Sequence, residues 1–402
     1  MHGEQAPSQH AGGNTPSYAK RMEQYYEKRV AGAWNGRHIL QGRVPDQTSV
    51  LLMSNDYLSL SNHPRILRSQ ADALLAQGRS AIITSELHQR QDGPRQRLLG
   101  RLAEWLHSEA VVLCQSGWCA NIGLLQCIAD PDTPVYIDAA AHESLWEGAR
   151  HSGASPRAFA HNALDELEDL IVSSGPGVVA VDAVYSTYGD LCPLPQLVEL
   201  CEHYGCVLVL DESHSLGVFG AQGKGLAAEL GLAERVHFRT ASLGKAFAAR
   251  AGLVTCSARF AEYFRASSGP AIFSSALLAH EIVRLTATLA VIREEGWRRE
   301  RLGRNAATLR AGLRAAGYDL GGCSSHIIPL YAGTELQAME LRDALEARGI
   351  FGAIFFPPAT PPDGALVRLS VNASITQEQI RRVIDACRDL AAQGNALGLA
   401  AN

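Results

Sequence analysis

Val207-Leu208-Val209-Leu210-Asp211-Glu212-Ser213-His214-Ser215-Leu216-Gly217 is an apolar run that ends on a carboxylate and turns polar at once. Four consecutive aliphatic residues predict a strand buried on both faces, as in parallel sheets. Similar runs recur at Val111-Val112-Leu113, Val135-Tyr136-Ile137, Val178-Val179-Ala180-Val181 and Gly252-Leu253-Val254. Helix-like stretches, such as 163–172 and 194–204, separate several of them. The pattern predicts an α/β chain with a mostly parallel central sheet and helices on both faces. Ligands of such sheets sit beyond the carboxyl ends of the strands. The polar residues just past strand ends, Ser116, Asp138, Asp182 and Asp211, therefore mark the expected site.

Residues 1–17 are rich in Gly, Ser, Pro, Gln and Asn and are expected to stay mobile. A charged helix is expected over 18–30 and a short strand over 50–53, and apolar spacing of three and four predicts helices over 65–77 and 94–106. From about His280 the chain turns helical, with a long amphipathic stretch at 299–316. A smaller α+β unit closes it: strands at 327–330 and 367–371, helices at 336–347 and 377–392. The expected division is an N-terminal arm and helix (1–62), a large cofactor-binding domain (63–285) and a small C-terminal domain (286–402).

Composition narrows the class. Of 402 residues, 47% are apolar and 19% charged, and 36 basic against 41 acidic residues give a formal charge of -5. That balance offers no nucleic-acid surface. No apolar run is long enough to span a bilayer, and residues 1–25 lack the apolar segment of a signal peptide. Nine cysteines, an odd number, are expected to be reduced thiols of a cytoplasmic protein.

The chemistry is read from Asp211 and from Lys245 in Thr240-Ala241-Ser242-Leu243-Gly244-Lys245-Ala246-Phe247. A carboxylate at the tip of a buried strand is costly unless a cation faces it. The protonated pyridine nitrogen of pyridoxal 5'-phosphate is such a cation, and the ring then accepts electrons from a substrate carbanion. Lys245 would supply the Schiff-base amine and later the general base. A phosphate needs backbone N–H groups at a helix start together with hydroxyls. Cys114-Gln115-Ser116-Gly117-Trp118-Cys119-Ala120-Asn121, just after a strand, supplies both, and Ser242 adds a hydroxyl. His142, past another strand end, is placed to stack on the ring. Gly217 to Gly225, with Gly220, Gly223 and Lys224, lacks the Lys-Ser/Thr ending of a P-loop. The cysteines form no paired C-x-x-C set, so no metal is expected.

These motifs, in this order, resemble the α-oxoamine synthases, pyridoxal phosphate enzymes of aspartate-aminotransferase fold (fold type I) that join an acyl-CoA to an amino acid with loss of CO2. The resemblance covers about Ser54 to Cys387 and rests on Ser54-Asn55-Asp56-Tyr57-Leu58, Ser116-Gly117-Trp118 with Ala120-Asn121, Asp138 with His142, His161-Asn162, Asp211 to His214, Ser242 to Lys245, and Val367-Arg368-Leu369. It implies that Lys245, Asp211 and His142 carry the catalysis. It places Ser186 and His214 near the ring hydroxyl, and Ser116, Gly117, Trp118 and Ser242 at the phosphate. Arg368, Thr360 and Asn55 would be substrate-side residues, a guanidinium fork being suited to a carboxylate. Ser274 and Ser275 would reach the neighbouring subunit's phosphate, which implies a homodimer with composite sites.

Two departures stand out. Common members carry a Gly/Ser-rich stretch with an Arg where this chain has Ser80-Ala81-Ile82-Ile83-Thr84-Ser85-Glu86-Leu87, and a glycine where it has Ala248. Other segments resemble one branch, the quorum-sensing autoinducer synthases of the cholera type: Gln115 to Trp118, Ser144 to Arg150, Val184-Tyr185-Ser186-Thr187 and Pro270 to Ser275. That branch implies an α-aminoketone signal made from a medium-chain acyl-CoA and S-adenosylmethionine or 2-aminobutyrate. The alternative is another α-oxoamine synthase, using glycine, alanine or serine, such as an 8-amino-7-oxononanoate synthase-like enzyme.

Overall fold

Among the residues described by the computed structural model (16–77, 83–89 and 93–397), seven strands build the central sheet. They are β1 (Ala110–Cys114), β2 (Val135–Asp138), β3 (Pro156–Phe159), β4 (Val178–Asp182), β5 (Val207–Asp211), β6 (Phe238–Ser242) and β7 (Gly252–Cys256). Residues 1–15 of the arm and Ser80-Ala81-Ile82 of the departing stretch lie outside the described residues. The order is β1-β7-β6-β5-β4-β2-β3. Only β7 runs against its neighbours, β1 and β6; the remaining pairs are parallel.

The helices that matter here are α1 (Pro64–Gln77), α2 (Gly93–Leu106), α3 (Gly117–Ile128), α4 (Glu143–Ser152), α5 (Leu164–Ser174), α6 (Leu194–Tyr204), α7 (Ala279–Glu294), α8 (Trp297–Ala315), α9 (Glu335–Glu346) and α10 (Gln377–Leu397). Side chains alternate across a strand, and β4 shows the result. Val178 and Ala180 pack with Leu124 of α3 and Leu145 of α4, whereas Val179 and Val181 pack with Leu167 of α5 and Leu197 of α6. Both faces are thus covered, and burying these aliphatic side chains is the main driving force.

A smaller antiparallel sheet, β8 (Ile327–Gly333), β9 (Ala353–Phe355) and β10 (Ala365–Ser370), has the order β9-β10-β8. Beside it, Val50–Leu51 of the N-terminal arm pairs in parallel with Ile350–Phe351 in a separate two-stranded sheet. One apolar cluster runs from Val50 through Leu113 and Leu253 of the central sheet to Leu390 of α10. No helix among the described residues is long and apolar enough to cross a membrane. All nine cysteines are free thiols.

Three of the ten numbered strands are not anticipated by the sequence pattern. β3 is an edge strand whose Arg157 and Ala158 are exposed, so it carries no apolar run. β9 is only half-buried. β6 is interrupted by Arg239, which is 3% exposed. Its guanidinium is neutralised by buried Glu212, with Nη1 3.5 Å from Oε2, and also donates to the Leu106 carbonyl. Burial pushes the Glu212 carboxyl up, and Arg239 opposes this. The Gly217 to Gly225 loop folds over that same carboxylate: Gly217 donates to the Gly223 carbonyl at 2.7 Å, and Gly225 lies against the Glu212 side chain.

Removing one partner of a buried ion pair leaves the other uncompensated. Arg239→Met is expected to cost about 3–5 kcal/mol, read as a lowered urea midpoint with an unchanged slope.

Candidate active site

β2, β4 and β5 each deliver a buried aspartate at the carboxyl edge of the sheet: Asp138, Asp182 and Asp211. Asp182 and Asp211 are register partners on adjacent strands. Two carboxylates this close disfavour double ionisation. Burial, reinforced by Asp211, raises the Asp182 carboxyl well above the usual range. Asp211 is held on both oxygens: Ser213 N–H donates to Oδ1 at 2.7 Å and the Asn121 amide to Oδ2 at 2.7 Å. Asn121 is itself fixed, donating to Ser144 Oγ at 2.8 Å and accepting from the Thr240 hydroxyl at 2.6 Å.

Lys245 sits on the loop joining β6 to β7. Bonds from Leu243 N–H to the Ala251 carbonyl (2.8 Å) and from Ala249 N–H to the Leu243 carbonyl (3.0 Å) tie that loop at its base. The Lys245 Nζ lies 2.6 Å from His214 Nε2. Burial lowers the lysine to about 8, against the pull of Asp211 and Asp182. His214 is buried and driven well below the ordinary histidine value, by burial first and then by Lys245 and Arg368. His142 caps α4: Ser144 N–H donates to its Nδ1 at 3.3 Å, and the Ser144 hydroxyl lies 2.8 Å from the same nitrogen. Burial lowers this imidazole too. Trp118, 43% exposed, meets it edge to face with centroids 6.1 Å apart.

Ser116 caps α3, its hydroxyl accepting from Cys119 N–H at 3.1 Å. At Gly117 an added Cβ would come 2.6 Å from the Ser242 Cβ, so the end of β6 and the start of α3 meet only because position 117 is glycine. Ser242 N–H donates to Ser213 Oγ at 2.7 Å, and its hydroxyl accepts from Gly244 N–H at 3.3 Å. First-turn N–H groups have no intrahelical partner. Those of α3, beside two serines, fit a phosphate. With an amine at Lys245 and a buried acceptor at Asp211, the residues fit pyridoxal phosphate.

Arg368 lies across the site on β10. Its Nη1 donates to the Ser186 carbonyl at 2.7 Å and its Nη2 to Asn55 Oδ1 at 2.9 Å, and the guanidinium carbon lies 4.5 Å from the Phe355 ring centroid. Ser186 thus places its carbonyl at the arginine. Three other expected residues stand apart. Ser274 and Ser275 are exposed, Ser274 donating to the Pro270 carbonyl at 2.7 Å and Ser275 forming a bridge to Ser85. Thr360 is buried and donates to the Pro361 carbonyl at 3.2 Å. The described part of the departing stretch docks beside Ser275: Ala276 N–H donates to the Thr84 carbonyl at 2.8 Å, and Glu86 is buried against Arg95.

The aminotransferase class I and II family matches residues 47–387. The chain belongs to that family. Among curated proteins, it is 41% identical to the CAI-1 autoinducer synthase of Vibrio campbellii, over 93% of this chain and 95% of that one. It is 32% identical to the 8-amino-7-oxononanoate synthase of Pectobacterium atrosepticum, over 87% and 90%. A high-resolution structure of SPT with PLP superposes with a TM-score of 0.81 at 26% identity, covering 88% of this chain and 89% of that one. The serine palmitoyltransferase of Sphingomonas wittichii, 23% identical and covering 95% and 98%, shares the fold with a TM-score of 0.85. Within the aminotransferase family the chain is thus an α-oxoamine synthase, a pyridoxal phosphate-dependent acyltransferase of fold type I.

Sequence reasoning assigned no role to several residues that meet here. Tyr57 bonds His214 Nδ1 at 2.6 Å, and His326 packs on the Tyr57 ring with centroids 4.1 Å apart. Tyr57 carried a signal as part of Ser54-Asn55-Asp56-Tyr57-Leu58; His326, just before a strand, carried none. His161 lies between two carboxylates, with Nδ1 2.9 Å from Asp138 and Nε2 2.6 Å from Asp190. Asp138 also accepts from the Tyr185 hydroxyl at 2.9 Å. This network pins the 184–191 turn that presents Ser186.

Burial opposes charge on His161, but the bonds and charges of Asp138 and Asp190 outweigh it and raise the group to about 9. A raised histidine stabilises the fold fully below its unfolded value of 6.5 and loses that contribution as pH rises through about 9. Urea titrations should therefore show the wild type more stable than His161→Gln below pH 6.5, with the gap closing as pH passes about 9.

Ala248, which stands where common members have glycine, has φ +47°. Its carbonyl accepts from Arg284 Nε at 3.0 Å and Nη2 at 2.7 Å, which holds the turn. A Cβ in the left-handed region costs about 1–2 kcal/mol, partly offset by the greater chain entropy glycine loses. Ala248→Gly should raise unfolding stability by about 0.5–1 kcal/mol in thermal or urea melts.

Proposed function

We propose that the protein condenses a medium-chain acyl-CoA with S-adenosylmethionine or 2-aminobutyrate, with loss of CO2, to an α-aminoketone quorum-sensing signal. The observation that carries this reading is that Lys245 and Arg368 belong to one hydrogen-bonded group, with the charge of Asp211 bearing on Lys245, in a chain 41% identical to a CAI-1 autoinducer synthase. Bound pyridoxal phosphate supplies an electron sink for a carbanion at the amino substrate's α-carbon. Asp211, with both oxygens anchored, holds a proton on the ring nitrogen. Lys245, at about 8, exists partly as free amine at neutral pH, as attachment and α-proton removal require. Arg368 takes the substrate carboxylate on its planar fork, next to Asn55. His142 would stack on the ring, and Ser116, Gly117, Trp118 and Ser242 would hold the phosphate.

The same reading makes the active form a cytoplasmic homodimer. Phe273 is 87% exposed beside the exposed Ser274 and Ser275, a surface suited to a second copy. Ser274 and Ser275 then face the partner's phosphate. The functional division is the arm (1–62), cofactor domain (63–285) and small domain (286–402), with Arg368 brought over the cofactor by the last.

Mass spectrometry of products from the holoenzyme tests the substrates, using acyl-CoAs of graded length against S-adenosylmethionine, 2-aminobutyrate, glycine, alanine and serine. Aminoketones from either of the first two donors are expected. Condensation with only the last three would replace this reading by the 8-amino-7-oxononanoate synthase-like one. Arg368→Lys should raise the KM for the amino substrate roughly tenfold to a hundredfold and leave the acyl-CoA KM unchanged.

A further inference from the structure

We propose that Tyr57 is a positioning residue that fixes which nitrogen of His214 carries the proton, and so links Lys245 to the Asn55–Arg368 pair. A guanidinium can only donate and an amide oxygen can only accept. Arg368 can only donate, so the Asn55 atom 2.9 Å from its Nη2 is the amide oxygen. The Tyr57 hydroxyl lies 3.2 Å from that same oxygen and must donate to it. Its own oxygen is then open to a donor, and His214 Nδ1 lies 2.6 Å away. The Nδ1 therefore carries the hydrogen, and Nε2 turns its lone pair to Lys245 Nζ at 2.6 Å, which donates. Every bond in the chain has one donor and one acceptor. Turning the tyrosine hydrogen toward Nδ1 would leave two bare oxygens facing each other at Asn55.

The surroundings hold this arrangement. His214 is buried among Lys245, Arg368, His326 and His142, so a second proton on the ring is disfavoured. Lys245 in turn faces Asp211 and Asp182. Tyr57 is fully buried and His326 rests edge-on against its ring, which leaves the phenol no room to turn aside. On the reading of Arg368 as the carboxylate site, on which this consequence rests, a substrate that draws Arg368 from Asn55 alters the acceptor of Tyr57. Through His214 that change reaches the lysine.

The test uses the full chain without cofactor, labelled with 15N in its histidines, with His214 assigned by loss of its signal in His214→Gln. Wild type should show the Nδ1–H tautomer; an Nε2–H signal overturns the proposal. In Tyr57→Phe the proton should move to Nε2, which can donate only to a neutral amine. The Lys245 midpoint, followed by its rate of modification with an amine-directed acylating reagent, should then fall by about one pH unit, the scale of one buried hydrogen bond. A folded variant with unchanged tautomer and midpoint overturns the proposal. Should Tyr57→Phe not fold, Asn55→Ala is expected to shift the tautomer the same way, and its failure to do so counts equally against the assignment. Borohydride trapping of pyridoxal phosphate on Lys245 in the same preparations tests the cofactor reading separately. A wild type that traps none overturns that reading and leaves the tautomer result standing.

Discussion

Three carboxylates end three neighbouring strands of the central sheet, and the site is organised by how each is neutralised. Asp138 is met by the imidazolium of His161 and by the Tyr185 hydroxyl. Asp182, beside Asp211 in register, is driven toward its protonated form. Asp211 keeps two fixed donors and faces the cationic side of the site, where Lys245 lies. The identical side chain thus serves as structural pin, neutral spacer and charged anchor, because burial makes each unpaired charge costly. The lysine's lowered basicity belongs to the same balance, since the aspartates offset only part of what burial takes away.

The scaffold serves that balance. The capped helices α3 and α4 start at the strand ends, α3 bringing Asn121 to Asp211 and α4 bringing Ser144 to Asn121. The small antiparallel sheet contributes Arg368 from the opposite side. The apolar cluster running from Val50 to Leu390 binds the arm, the cofactor-bearing sheet and the last helix into one packed body. The distances across the site are therefore set by core packing as well as by local turns.

Much of this was legible in the sequence, for physical reasons that also explain what was not. β4 and β5 read clearly because their buried residues are aliphatic, and Asp211 and Lys245 stood out because a charge after such a run needs a partner. β6 was hidden by Arg239, whose charge is cancelled by Glu212 from another strand end, a contact no local pattern announces. β3 was hidden by exposure at the sheet edge. Tyr57 and His326 could not be placed because they meet through packing between segments some 270 residues apart in the chain. The departure at Ala248 was visible as a letter, but its meaning came only with a backbone angle.

The single reversed strand, β7, has a consequence for how the lysine moves. Because β6 leaves the carboxyl edge and β7 re-enters it, residues 243–251 begin and end within the site, and their base is tied by backbone hydrogen bonds. Lys245 is carried on a closed staple and not on a segment that departs for another layer. Hinge motion of the main chain is little available to it. The stroke by which its amine approaches and withdraws is limited to rotation about its own methylene bonds, between staggered wells.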